Sequence, residues 1–192
     1  MSFFFNFNED IPEEFYNSQT HQPHAECSIC GNSLDRGIYF IEKAYRRTHD
    51  KTEFQLTFEY AICEGCKKDM MVSISKESFQ NIQKFAMEMG DAFDLERITN
   101  EEINKDYLMT HCMATGKSID QLDEYHLLGI FSADKMMQFP MLYGNSFIEE
   151  YSELLSEETK GFFDDLFDEI TIIPPALAKI LDDEKPKRPV LI

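Results

Sequence analysis

The chain has no tryptophan, only eight glycines in 192 residues, and half as many basic residues as acidic ones. It also lacks any apolar run near the roughly 20 residues that a membrane-spanning helix needs. Eight glycines and seven prolines exclude collagen-like and low-complexity classes. The shortage of Lys and Arg excludes more. Eighteen bases against 36 acids give a formal net charge of −18, with 17 acids and 9 bases in residues 1–96 and 19 and 9 in 97–192. Binding to a phosphate backbone depends on cationic side chains that displace condensed counterions, so this surface repels nucleic acid and anionic membranes alike. Lys43, Arg46, Arg47 and Lys51 form a local exception, but Glu42, Asp50 and Glu53 interleave with them and predict a mixed, solvated surface. The first ten residues, Met1 to Asp10, have no basic segment and only a short apolar stretch. They match neither a secretory signal nor a transit peptide, and the expected location is cytoplasmic.

What is abundant is core material. Seventeen Phe, eight Tyr and ten Met within a 43% apolar composition suffice for one ordinary domain or two small packed modules. Period-two alternation marks a strand in which Phe54, Leu56, Phe58, Tyr60 and Ile62 face one way and Glu53 to Ala61 the other, predicting one buried and one wet face. A preceding strand over 37–47 and a loop at 48–52 complete a hairpin. Ser75 opens a helix that would bury Phe79, Ile82, Phe85, Ala86 and Met89. Short helices are expected at 10–18 and from Asn100, strands at 124–132 and 136–143, and helices from Ser146, from Ser156 and after Pro174-Pro175.

The strongest signal is chemical. Cys27-Ser28-Ile29-Cys30 and Cys63-Glu64-Gly65-Cys66 are two Cys-x-x-Cys turns. Each lets two thiolates grip one metal from the same side, and two such turns complete the tetrahedron that zinc prefers. The hairpin between them accounts for their separation. In a cytosolic chain this pattern favours metal over disulfides. We therefore expect one structural Zn2+ on Cys27, Cys30, Cys63 and Cys66, with no open coordination position for catalysis. The arrangement resembles the four-cysteine zinc ribbons and treble clefs. That resemblance covers residues 26–90 and implies a metal-binding fold while leaving function open.

The fifth cysteine extends the pattern. Cys112-Met113-Ala114-Thr115-Gly116-Lys117-Ser118-Ile119-Asp120 aligns with Cys27 to Asp35, with Thr115 in the place of Cys30. Leu142-Tyr143-Gly144-Asn145 then aligns with Cys63 to Cys66, and a Ser-led helix follows both. Self-similarity of this kind points to a duplicated unit, its second copy metal-free, with Leu142 and its neighbours in the metal's place and Cys112 a small buried residue. The expected organisation is an N-terminal arm (1–25), a four-cysteine module (26–99), a degenerate repeat (100–173) and a C-terminal tail (174–192). The fold class is α+β, as tandem zinc-ribbon or treble-clef-like modules.

Other motifs carry less. Thr115-Gly116-Lys117-Ser118 ends like a phosphate-binding loop, but His111 stands where its first glycine is required. His49 on the hairpin lacks the partner helix motif of the His-Asn-His nucleases. The acids from Glu149 to Glu169 form no calcium loop and fit the polar faces of helices. His21 and His24 read as loop residues, and the Phe3-Phe4-Phe5-Phe7 cluster as a plug or a contact surface. No nucleophile, base and oxyanion donors converge. The expected function is a non-enzymatic, zinc-stabilised adaptor that binds another protein. A zinc–thiolate redox switch is the first alternative and a nucleic-acid-associated zinc ribbon the second.

Overall fold

A computed structural model describes residues 9–92 and 105–170. The expected Phe3–Phe7 plug, the helix after Pro174 and the tail lie outside those residues. Within them the chain is mixed helix and antiparallel sheet. In order come β1 (Glu9–Asp10), β2 (Ile38–Arg47), β3 (Phe54–Cys63), α1 (Glu64–Val72), α2 (Lys76–Ala92), α3 (Lys105–Thr110), β4 (Glu124–Ser132), β5 (Lys135–Met136), β6 (Met141–Gly144), α4 (Asn145–Glu153) and α5 (Glu157–Ile170). The expected helix at 10–18 is only a 3-10 turn over Glu13–Phe15.

The sheet runs β1-β5-β4-β2-β3, with β6 also paired to β4. Its two main hairpins meet antiparallel at β2 and β4, where Glu42 lies opposite Leu128. Outward from that seam the pairings correspond: Tyr39 with Cys63 and Ile41 with Ala61 on one side, Tyr125 with Gly144 and Leu127 with Leu142 on the other. Each hairpin hands over directly to a nine-residue helix, α1 or α4. Each of those is followed by a longer helix opened by serine, at Ser75 before α2 and at Ser156 before α5.

The two serine turns touch, and their hydrogen bonds are reciprocal. Ser75 N–H donates to Thr159 Oγ1 at 3.0 Å, and Ser156 N–H donates to Ser78 Oγ at 2.8 Å. Within each turn the capping hydroxyl accepts from the third helical amide, Ser78 N–H on Ser75 Oγ and Thr159 N–H on Ser156 Oγ. The two ββαα segments thus meet at the β2–β4 seam and at this hydroxyl cluster.

Both faces of the sheet are covered, contrary to the wet face expected for β3. Tyr60 packs on Phe167 of α5 on the helical side. On the other side Thr57, Glu59 and Ala61 are buried, because the segment around Phe15 to His24 lies across them. Phe15 meets Phe131 edge to face at 4.9 Å. Gly129 leaves room for both rings, since a Cβ there would sit 2.5 Å from Phe131 and 2.8 Å from Phe15. The arm is held by charge as well as packing. Ser18 donates to Glu59 through its N–H (2.9 Å) and its hydroxyl (2.5 Å), and Lys43 Nζ lies 3.1 Å from the same carboxylate. Lys43, expected on a solvated surface, is therefore buried in an ion pair. Such a pair must be closely hydrogen-bonded to offset its desolvation.

Candidate metal centre

The first cysteine turn is shaped before any metal is considered. Cys27 N–H donates to Asn32 O, and Gly31 N–H closes the turn on Cys27 O. Gly31 reaches a φ of +68°, a conformation that glycine adopts without steric cost. Ser28 N–H then binds Ala61 O on β3, pinning the turn beside the strand that carries the second pair. Cys63 ends β3, and Cys66 lies within the first turn of α1.

The four sulfurs consequently converge. One Sγ from each of Cys27, Cys30, Cys63 and Cys66 lies within 4.8 Å of all the others, and Cys30 and Cys63 are 3.8 Å apart. A tetrahedral site with Zn–S bonds of about 2.3 Å places its sulfurs about 3.8 Å apart. None of the five cysteines is in a disulfide. Cys27 is buried and Cys30 exposed, so the site sits at the rim of the sheet with one sulfur facing solvent. Burial raises the Cys27 thiol, but hydrogen bonds from the backbone of Cys30, Cys63 and Ile29 outweigh it and bring its pKa down to about 7. Burial raises that of Cys66, and its three thiol neighbours raise it further. Four adjacent thiolates cannot form without a cation to offset their mutual repulsion. The donor set fits a divalent, thiophilic metal ion.

The second turn repeats the backbone of the first. Cys112 N–H donates to Lys117 O, Gly116 N–H to Cys112 O, and Met113 N–H to Leu142 O. Gly116 has the same φ of +68°. A short bridge joins His111 to Ser118 as one joins Glu26 to Ser33. Most telling is the cysteine itself. Cys63 N–H points at Cys27 Sγ at 3.4 Å, and Gly144 N–H points at Cys112 Sγ at 3.3 Å. Gly144 therefore corresponds to Cys63, not to Gly65, and the aligned stretch expected from sequence is displaced by two residues. Counting along the helices, Phe147 stands where Cys66 stands. Its ring stacks on Tyr143 at 4.2 Å and faces Phe85 at 5.7 Å and Tyr151 at 6.2 Å. Phe147 and Leu142 are both buried in the core of this second segment, as is Cys112. A Cβ at Gly144 would lie 2.7 Å from the Leu122 side chain, a close approach that glycine alone permits without adjustment.

A second polar cluster was not read from sequence. At the β2–β4 seam Glu42 accepts from the Tyr60 hydroxyl and sits 2.6 Å from His126 Nδ1. His126 Nε2 lies 3.9 Å from Glu124, which Arg46 approaches at 3.4 Å. Burial opposes a charge on His126, but Glu124 and Glu42 outweigh it and raise its pKa. On the opposite face His24 is 3.9 Å from Glu59. There burial, helped by Lys43 and only partly opposed by Glu59, depresses its pKa to about 4. Only period-two register would have revealed these clusters, because Glu42, Tyr60 and His126 are far apart in the chain. Lys67, one residue after the last cysteine, stands 5.0 Å over the Phe40 ring, and burial lowers its pKa to about 8 against the pull of Glu42. The hollow beneath it, floored by Leu128 and Met141, encloses about 20 Å³, room for a water and not for an organic substrate.

Among the described residues Cys27, Cys30, Cys63 and Cys66 are the one group of three or more His, Cys, Asp or Glu side chains close enough to share a metal ion. No described helix is long and apolar enough to cross a membrane. No family model matches the chain, and no curated protein or solved structure matches it.

Proposed function

We propose that the protein is a zinc-stabilised interaction or adaptor protein of two tandem zinc-ribbon-like or treble-clef-like modules. The first carries a structural four-cysteine zinc site, and the second is a degenerate copy that has dispensed with metal. The observation that carries this reading is the convergence of four sulfurs at separations suited to one zinc ion. Four thiolate ligands leave zinc no open position for water or substrate, which favours a structural over a catalytic role. The repeated turn hydrogen bonds, the equal φ at Gly31 and Gly116, and the paired N–H···Sγ contacts support common descent of the modules. The partner class is another protein, since a net charge of −18 opposes nucleic acid.

Cobalt substitution tests the site. Metal-free chain titrated with Co2+ should develop the intense sulfur-to-metal charge-transfer absorption of a tetrathiolate at one equivalent. A weak spectrum of oxygen-ligated cobalt contradicts the proposal.

A redox switch is the second reading, favoured by the exposed Cys30 lying 3.8 Å from Cys63. Peroxide takes two electrons from these two thiolates, is itself reduced to water, and leaves a Cys30–Cys63 disulfide that no longer holds zinc. Zinc release at low peroxide, reversed by a thiol reductant, distinguishes this reading from a purely structural site.

A further inference from the structure

The four sulfur-bearing residues of the metal centre are not equally open to solvent. Cys27 is 3% exposed, Cys63 and Cys66 are half-buried, and Cys30 is exposed. Cys30 also begins a run of exposed residues that continues to Ser33. At Gly31 a Cβ would meet nothing within 4 Å, so nothing crowds the turn from that side. Backbone hydrogen bonds grade the sulfurs in the same order. The amides of Ile29, Cys30 and Cys63 bear on the Cys27 sulfur, whereas Cys30 receives one, from Asn32. Each such bond draws electron density from a thiolate and makes it a poorer nucleophile.

The centre is also anionic. Four thiolates on one divalent ion leave a charge of about −2, on a chain whose formal net charge is −18. Anionic reagents are repelled from such a centre, and uncharged ones are not.

We infer that Cys30 is a modification site, the sulfur that small uncharged electrophiles of the hydrogen peroxide class reach first. Cys30 acts here as one of the four zinc thiolates of the reading above, on which this step rests. Its sulfur attacks one peroxide oxygen, the O–O bond breaks, and hydroxide leaves with the bonding pair and takes a proton from solvent. The sulfur loses two electrons and becomes a sulfenic acid, and the peroxide is reduced. The Cys63 sulfur, 3.8 Å away, then displaces hydroxide from it and closes the disulfide. Cys27, buried and held by three amides, is the last of the four to react.

Paired alkylating agents test this on the zinc-loaded, unmutated full chain, so no variant's folding enters. Iodoacetamide and iodoacetate deliver nearly the same group by displacing iodide, the first without charge and the second with it. Peptide mass mapping after limiting iodoacetamide should place the first label at Cys30. Zinc content should fall as Cys30 labelling rises, while buried Cys112 stays unlabelled. Limiting peroxide should give a Cys30–Cys63 disulfide in place of one within either Cys-x-x-Cys turn. Relative to free cysteine, iodoacetate should be slowed more than iodoacetamide, and added salt should narrow the gap. First labelling at Cys27, Cys63 or Cys66 overturns the inference. So does a first disulfide that excludes Cys30, or a ratio of the two reagents' rates equal to that of free cysteine. Zinc measured before the reagent is added separates the two readings. A chain that binds none contradicts the zinc site, and the position of its first label still decides for or against Cys30.

Discussion

Replacing Phe147 by alanine removes the group that stands where the first unit has Cys66. Phe147 is buried, and its ring contacts Tyr143, Phe85 and Tyr151 at centroid distances of 4.2, 5.7 and 6.2 Å. Truncating such a phenylalanine removes its transfer free energy and leaves a cavity, together costing about 3–5 kcal/mol. For a domain stable by roughly 5–15 kcal/mol this is a large fraction. With a urea dependence of about 2 kcal/mol per molar, the midpoint should fall by about 2 M. The assay is urea unfolding followed by circular dichroism, with zinc in fixed excess so that metal linkage does not vary between samples. Zinc content of the folded variant should remain unchanged, because the four cysteines lie in the other unit. A loss below about 1 kcal/mol would refute the idea that an aromatic cluster has taken over the metal's structural role.

The converse substitution should restore what the second unit lacks. Thr115→Cys, Gly144→Cys and Phe147→Cys beside native Cys112, with Leu122→Ala to clear the 2.7 Å approach at position 144, should raise zinc binding by one equivalent. A folded variant that gains none contradicts the positional correspondence. The two buried histidines should titrate in opposite directions, as nitrogen-resolved nuclear magnetic resonance can read. His126, its pKa raised beside Glu124 and Glu42, should stay protonated above pH 6.5. Its stabilisation is then fully present below pH 6.5, the unfolded value, and is lost as pH rises through the higher folded value. His24, depressed to about 4, should stay neutral until about pH 4. The unfolded chain takes up that proton first, so His24 costs stability as pH falls from about 6.5 to about 4. A neutral His126 at pH 6 or a charged His24 at pH 6 would contradict the corresponding assignment.

Local chemistry was legible in the sequence, and long-range geometry was not. The two Cys-x-x-Cys turns name four residues whose sulfurs the fold brings together, because a turn of that length constrains its own side chains. The β2–β3 hairpin was equally plain, with Phe54 to Ile62 alternating around a polar loop. What failed depended on which neighbour covers a face. Thr57, Glu59 and Lys43 look solvated by pattern, yet the Phe15–His24 segment buries them, and no periodicity signals that packing. Phe79 and Met87 illustrate the reverse. Phe79 belongs to a helical stripe that predicts burial, but α2 leaves both exposed. The match of Cys112, Gly116 and Ser118 to Cys27, Gly31 and Ser33 pairs two turns that share their hydrogen bonds, whereas the amide contact that Cys63 makes to Cys27 is made to Cys112 by Gly144, two residues beyond its place in the alignment. Glycine matched to glycine there by type, although the chain uses Gly144 at the place of a cysteine, to admit Leu122.

The central claim concerns metal stoichiometry. Native mass spectrometry of purified chain, with elemental analysis of the same sample, should find one zinc per chain. The Cys63→Ser, Cys66→Ser double variant should have none, since two thiolates cannot replace the four-sulfur site. Two zinc ions in the unmodified chain, none at all, or one retained by the double variant would contradict the account.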